Sequence, residues 1–136
     1  MTGDDRNIEA IRRGFEAMRR GDVEGLLTDC DPDIEFAAFV SQVEGHNYYG
    51  HEGMWKFFSD IREAWELWDP VPERFEVDGE TVLVTGTTNV RGKGSGMEMS
   101  MEWGQVFRLR EGKVLWTRIY TDRDEARAEF DRRSSG

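Results

Sequence analysis

The sequence contains one cysteine, three prolines and no long hydrophobic run. The lone Cys30 can form no disulfide within the chain and, without other cysteines, no thiolate metal cage. No stretch approaches the roughly 18 apolar residues of a membrane-spanning helix, and residues 1–10 lack the basic and then apolar pattern of a secretion signal. These absences predict a cytoplasmic protein without a membrane partner.

Basic residues are also scarce. Eighteen lysines and arginines stand against 28 aspartates and glutamates, which gives a formal net charge of −10 at pH 7. This charge repels nucleic-acid phosphates and anionic lipids, so neither is expected as a partner. Hydrophobic residues make up 38% of the chain and aromatic residues 12%, enough for a folded core. The length predicts a single domain over residues 1–136.

Apolar residues at helical spacing predict three helices in the first half of the chain. The first is predicted over residues 8–20, ending at Gly21, from the positions Ile8, Ile11, Phe15 and Met18. Asp22 is a suitable N-cap for a short second helix, which cannot continue through residues 31–33 because they contain a proline. A third helix is predicted from Glu52 up to Asp69-Pro70, from the positions Met54, Phe57, Phe58, Ile61, Trp65 and Trp68.

The second half alternates with a period of two, which is typical of strands. A strand over 34–39 and an irregular segment or loop over 40–50 precede the third helix. After that helix come strands over 74–77, 81–91, 97–110 and 113–121, and a short helix over 123–132. This order predicts an α+β fold with the helices packed on one face of a mainly antiparallel sheet.

The strand over 97–110 has one apolar phase that contains a single polar residue. That phase reads Met97, Met99, Met101, Trp103, Gln105, Phe107 and Leu109, and it is expected to face the interior. Gln105 is either a core amide bonded to the backbone or a hydrogen-bonding group in the wall of a cavity. The methionines are either core filler or flexible walls for an apolar ligand.

The predicted cavity lies between this strand and the helices. Trp103, Gln105 and Phe107 should line it, because a two-residue period places them on one face. The helices have only that face against which to bury their apolar stripes. Further wall residues are expected from the helices and neighbouring strands: Phe15, Met18, Phe36, Phe58 and Met101.

Asp122 follows the last predicted strand and precedes the last helix. It is either the N-cap of that helix or a general acid or base at the mouth of the pocket, with Tyr120 as a nearby hydroxyl donor. Either phase of the strand over 113–121 can face inward, so the residues alone leave this choice open.

The other candidate sites are weaker. His46 and His51 match no zinc-site spacing, and His51 is expected at the edge of the pocket or at the start of the third helix. The glycines of residues 92–96 precede a strand, so they form a hairpin turn and not a phosphate loop. Cys30 lies between two aspartates, which raise its thiol pKa and make it a poor nucleophile. No metal or cofactor is predicted.

Several segments together carry a family resemblance that covers nearly the whole chain. They are Ile8–Asp22 (IEAIRRGFEAMRRGD), Asp31–Phe36 (DPDIEF), Tyr49–Gly53 (YGHEG), Gly92–Gly96, Leu109–Val114 (LREGKV) and Tyr120–Ala126 (YTDRDEA). In this order the chain resembles the SnoaL-like branch of the nuclear transport factor 2-like superfamily. The resemblance implies a curved sheet wrapped around the N-terminal helices into a cone, an internal apolar pocket, and often a dimer through the sheet.

Functions in this superfamily differ, so each must be compared residue by residue. Gly14, Ala38 and Gln105 stand where ketosteroid isomerase has its tyrosine, base and second donor, so that activity is not expected. The Arg-x-Asp pair of the epoxide hydrolases is also missing. In SnoaL-type polyketide cyclases a strand-end aspartate works near an inward histidine, and the resemblance places Asp122 and Gln105 at those positions.

Two functions remain open from the sequence. The first is a cofactor-independent isomerase, cyclase, lyase or hydrolase acting on an apolar, carbonyl-bearing molecule, with Asp122 as acid or base and Gln105 and Tyr120 orienting the substrate. The second is a non-catalytic ligand-binding or dimerisation module. A homodimer is expected in either case, from the resemblance and from the outward apolar residues Val106 and either Trp116 or Ile119.

Overall fold

The computed structural model describes residues 3–38 and 46–134. Its helices are α1 (Gly3–Arg20), α2 (Val23–Thr28), α3 (Gly50–Ala64) and α4 (Arg123–Ser134). Its strands are β1 (Cys30–Ala38), β2 (His46–Tyr49), β3 (Trp65–Asp78), β4 (Thr81–Gly92), β5 (Glu98–Arg110) and β6 (Lys113–Tyr120). Residues 39–45, which include the end of the strand predicted over 34–39 and part of the irregular segment predicted over 40–50, lie outside the described residues. None of the described helices is long and apolar enough to cross a membrane.

The strands form one open, six-stranded sheet in the order β2-β1-β6-β5-β4-β3. Only the β1–β6 pair is parallel, and the other pairs are antiparallel. The α+β architecture predicted from the sequence is therefore confirmed, with a mixed sheet that does not close on itself.

The end of α1 and the start of α2 lie at the residues expected from the sequence. Gly21 ends α1 with a φ of 71°, a left-handed conformation that glycine adopts without steric cost. Asp22 then caps α2, because its Oδ1 accepts a hydrogen bond from Gly25 N at 2.9 Å. The helix α1 is longer than predicted and starts at Gly3.

The prediction that the third helix continues through Trp68 is wrong. α3 ends at Ala64, and Trp65 and Trp68 belong to β3, where they pair with residues of β4. Trp68 packs edge-on against Phe57 of α3, with ring centroids 5.8 Å apart. The strand can also pass through Pro70, because β3 is an edge strand that needs ladder hydrogen bonds on one side only.

The main core lies between the inner face of the sheet and α1 to α3. Phe15 of α1 stacks on Trp103 of β5 at 5.6 Å between ring centroids. Phe36 of β1 meets Phe57 of α3 at 4.7 Å. Each buried aromatic side chain of this kind contributes on the order of 2 kcal/mol of transfer free energy. The inner face therefore holds the N-terminal helices in place and defines the space left between them.

The prediction that all helices pack on one face of the sheet is also wrong. α4 covers the outer face, where Leu83 and Val106 lie opposite each other on β4 and β5 and are fully buried. The sequence agrees with burial of this outer face. Strands that are covered on both faces have continuous apolar runs, and β4 contains one in Val82-Leu83-Val84. Val106, which was expected to support a dimer, is therefore covered by this chain's own helix.

The expected inward apolar phase of β5 is buried only along part of the strand. Trp103, Gln105 and Phe107 are buried, whereas Met99 and Met101 are 48% and 38% exposed. β6 pairs with β5 only from Gly104 onward, so the N-terminal part of β5 has a strand on one side only within the described chain.

Candidate functional site

A cavity of about 40 Å³ lies between the inner face of the sheet, α1, α2 and α3. Its wall contains five of the residues predicted from the sequence: Phe15, Met18, Phe36, Gln105 and Phe107. Met54 of α3 closes it from the helical side. The strands contribute one face through their two-residue alternation, and α1 contributes a stripe through its helical spacing.

The volume limits what the cavity holds without rearrangement. One water molecule needs about 10–15 Å³, and a cavity of about 150 Å³ is large enough for benzene. At about 40 Å³ the cavity has room for a few waters only. Met18 and Met54 are unbranched and flexible, so they are the wall residues that can move most readily to admit a larger molecule.

Gln105 is the one amide that the described residues contribute to the wall, and its neighbours set its orientation. Its Nε2 donates a hydrogen bond to Thr117 Oγ1 at 2.9 Å, and Thr117 Oγ1 donates to the backbone oxygen of Val106 at 2.9 Å. Because the hydroxyl proton of Thr117 is used, its oxygen can only accept from the amide. The described chain provides no donor to Gln105 Oε1, which is left to accept from a molecule in the cavity.

Asp29 also lies in the wall, where it was not predicted, because no local pattern distinguishes it from the neighbouring aspartates. Arg13 donates two hydrogen bonds to its carboxylate, at 3.1 and 2.9 Å. Both carboxylate oxygens are thus engaged by the guanidinium of Arg13 in a bidentate, charge-assisted pair.

Thr117 was missed for a different reason. The register pairs Phe107 with Thr117 and Gln105 with Ile119, so Thr117 and Ile119 of β6 face inward. A register shift before Leu109 pairs that residue with Val114, so Val114 and not Leu115 also faces inward. Both phases of β6 contain apolar residues, and only the pairing with β5 distinguishes them.

Cys30 lies in the wall, and its thiol is a poor nucleophile. Burial raises the pKa of its thiol to about 12, and the negative charge of Asp29 adds to the shift. His51 does not line the cavity, and its Nε2 donates to the backbone oxygen of Cys30 at 3.1 Å, which ties α3 to β1. Among the residues that the structure describes, no group of three or more His, Cys, Asp and Glu side chains is arranged to hold a metal ion.

The structure does not bring Asp122, Tyr120 and Gln105 together. Asp122 is exposed, and its Oδ1 accepts from Asp124 N at 2.8 Å at the start of α4, as an N-cap does. Tyr120 faces the outer side of the sheet, where it donates to Glu129 Oε1 at 2.9 Å. Burial and the carboxylate raise the pKa of Tyr120 to about 12.

Three expected wall residues lie elsewhere. Phe58 is buried against Phe57 in the core, and Met101 is partly exposed at the far end of β5. Trp103 is buried behind the ring of Phe15 and does not reach the cavity. Its indole N–H has no acceptor within the described chain, and such a buried donor is costly unless water or a ligand pairs with it.

Sequence comparison gives one family match. The SnoaL-like domain family matches residues 11–117, which include α2, α3, β1 to β5 and most of α1 and β6. Comparison with curated proteins gives no match.

Many solved structures share this architecture. TerC co-crystallised with polyporic acid is 26% identical, has a TM-score of 0.78, and the match covers 92% of this chain and 97% of that one. A putative SnoaL-like polyketide cyclase from Jannaschia sp. is 18% identical with a TM-score of 0.77, covering 100% and 96%. A hypothetical protein with a ketosteroid isomerase-like fold from Catenulispora acidiphila, in complex with trimethylamine, is 14% identical with a TM-score of 0.75, covering 90% and 92%.

Proposed function

The chain belongs to the SnoaL-like domain family, and from that membership and its cavity we propose that it binds a small, mainly apolar molecule beneath the sheet. Apart from Gln105, Thr117 and Asp29, the wall is made of apolar side chains, glycine and the buried Cys30. Such a wall favours an apolar body, and a few polar groups then fix its orientation.

The observation that carries this proposal is the unpaired amide oxygen of Gln105. With Nε2 held by Thr117, Oε1 is the free acceptor of a side chain that lines the cavity. The preferred ligand therefore carries a hydroxyl, enol or N–H group on an apolar body. A hydrogen bond from such a group to Oε1 contributes about 0.5–1.5 kcal/mol net to binding.

Ligands of similar proteins support the binding of a small molecule in this fold, but these ligands differ in size. TerC was co-crystallised with polyporic acid, and the Catenulispora protein was crystallised with trimethylamine. At about 40 Å³, the cavity of this chain is nearer to the small end of that range. A ligand of the size of a single aromatic ring requires Met18 or Met54 to change rotamer.

Proton-transfer catalysis is the second candidate, because similar structures include a putative polyketide cyclase. Asp122, the acid or base expected from the resemblance, caps α4, and Asp29 of the wall is bound by Arg13. These positions favour binding over acid/base catalysis by an isomerase or cyclase. Homodimerisation and a cytoplasmic location remain proposals from the sequence.

Calorimetric titration with phenol and anisole tests the proposal. The two compounds share a ring, but only phenol has an O–H to donate to Gln105 Oε1. Phenol is expected to bind several-fold more tightly to the parent protein, and Gln105→Leu is expected to remove that preference. Asn89→Leu is the matched control, because it removes an exposed amide from β4 outside the cavity. Equal binding of both compounds to the parent, or no binding of either, would contradict the proposal.

A further inference from the structure

The inner face of β5 leads from exposed side chains to the cavity. Along this face Met99 and Met101 are 48% and 38% exposed, whereas Trp103 and Gln105 are each 6% exposed. These residues share one face because side chains alternate along a strand, and β5 pairs with β4 without a register shift. Gln105 lines the cavity, so Trp103 stands between the cavity and the exposed methionines on this face.

Trp103 and Phe15 together close this path. Phe15 of α1 lines the cavity, and its ring stacks on the indole of Trp103 with the centroids 5.6 Å apart and an interplanar angle of 20°. The indole also lies against β4, where a Cβ at Gly86 would come within 2.7 Å of Trp103 Cζ2. The two rings are held in place by packing, and the indole N–H makes no directional bond within the described chain.

The indole N–H of Trp103 makes this closed position costly. The residue is 6% exposed, and its Nε1 has no acceptor among residues 3–38 and 46–134. A buried donor without a partner has lost its hydrogen bonds to water, and a movement that lets water reach Nε1 restores them. The unmade hydrogen bond therefore lowers the free-energy cost of moving the indole away from Phe15.

The helical sides of the cavity are closed by contacts that the aromatic stack lacks. Between α1 and α2 a Cβ at Gly14 would lie 3.3 Å from Leu26 Cδ1, so the two helices are in close contact. Next to this contact Arg13 donates two hydrogen bonds to Asp29 at the end of α2. His51 of α3 is hydrogen-bonded to the backbone of β1 at 3.1 Å. An opening at either place breaks directional bonds.

We propose that Phe15 and Trp103 form an aromatic gate, through which a ligand passes from the exposed end of β5 into the cavity. This inference rests on the ligand binding proposed above. In the closed state the stacked rings separate the cavity from Met101. In the open state the indole turns away from Phe15, its N–H is hydrated, and the path along β5 is continuous.

A gate alters the rates of binding and release more than the affinity. Trp103 does not line the cavity, so its truncation removes no contact with a ligand bound there. Association is slow when binding requires a conformational change, and a ligand that leaves by the same route meets the same barrier. Truncation of Trp103 is therefore expected to raise both rates together, whereas truncation of a wall residue changes their ratio.

Hydrogen exchange of the ligand-free protein tests the opening itself. The indole proton of Trp103 is expected to have a protection factor about a hundredfold or more below that of the Val106 amide, which lies in the same strand at a residue with 0% exposure. Local opening produces this difference, because it exposes the indole while the centre of the sheet stays folded. Equal protection of the two protons would overturn the proposal.

Phenol binding kinetics, from the line shape of the Met54 methyl signal, test the route. Trp103→Leu removes the stacked ring, so the association and dissociation rates are each expected to rise roughly tenfold, with Kd changed by less than about threefold. Trp68→Leu is the matched control, because it removes the same ring from β3, where Trp68 packs against α3. Arg13→Gln removes the ion pair beside α2. Neither of these two variants should change the association rate.

The outcomes separate the gate from ligand binding. Phenol that binds with parent-like rates to Trp103→Leu would overturn the gate and leave ligand binding intact. Faster association in Arg13→Gln alone would place the entrance between α1 and α2 and also overturn the gate. Absence of phenol binding to the parent protein would overturn both proposals. If Trp103→Leu does not fold, the protection of the Trp103 indole proton in the parent protein decides.

Discussion

The Tyr120 hydroxyl donates a hydrogen bond to Glu129 Oε1 at 2.9 Å, on the face of the sheet opposite Gln105. Arg132 and Arg133 also contact the carboxylate of Glu129, at 2.7 and 3.1 Å. These buried contacts hold α4 against β6, so the Tyr120 hydroxyl has a structural role. It explains why the strand that supplies Thr117 to the cavity cannot also supply Tyr120.

Glu129 makes the attachment of α4 sensitive to acid. Burial opposes its ionisation, but the hydrogen bond from Tyr120 and the charges of Arg132 and Arg133 outweigh burial and lower its pKa. A carboxylate with a lowered folded-state pKa stabilises the fold above its unfolded value of about 4.3, and this contribution is lost as the pH falls through the folded-state pKa.

The Glu129→Gln variant is therefore expected to be less stable at pH 7 by about 1–2 kcal/mol and to depend less on pH between about 5 and 2. Urea unfolding of parent and variant at pH 7 and pH 3 measures both effects. Glu125→Gln is the control, because Glu125 is an exposed carboxylate on the same helix. Equal pH dependence in parent and Glu129→Gln would refute the assigned role.

Asp122→Ala separates helix capping from catalysis. The carboxylate caps α4 and is exposed outside the cavity, so its loss is expected to cost about 1 kcal/mol of stability. Phenol affinity should not change. A thermal melt measures the change in stability, and a calorimetric titration measures phenol affinity. A large loss of affinity with unchanged stability would show that Asp122 belongs to the binding site.

Met54→Ala enlarges the cavity. Met54 is 2% exposed, and truncation of a buried methionine typically costs about 2–5 kcal/mol. A saturating apolar ligand such as toluene is expected to restore part of that loss and to raise the melting temperature of the variant more than that of the parent. Met99→Ala, on exposed β5, should change neither quantity. If toluene shifted parent and Met54→Ala equally, Met54 would not limit the size of the ligand.

Alternation along β5 was sufficient to place Gln105 and Phe107 on the inner face, because a period of two fixes the face once one end is buried. The same reasoning failed for Met99 and Met101. Their burial depends on a neighbouring strand and a covering helix, which local sequence does not report.

Two other features depend on tertiary pairing. Trp65 and Trp68 fit a helical stripe as well as they fit a strand, and their pairing with β4 decides between the two. The position of α4 could not be predicted because few of its residues are apolar, with Ala126 and Phe130 the ones buried on the outer face.

Nuclear magnetic resonance of methyl-labelled methionine tests the central claim most directly. Met18 and Met54 line the cavity, whereas Met97, Met99 and Met101 are exposed on the β5 side. Titration with phenol at fixed protein concentration is expected to shift the Met18 and Met54 methyl signals and to leave the other three in place. Gln105→Leu should weaken this response. Shifts confined to Met97, Met99 and Met101, or no shift of Met18 and Met54 at millimolar phenol, would contradict ligand binding in the cavity.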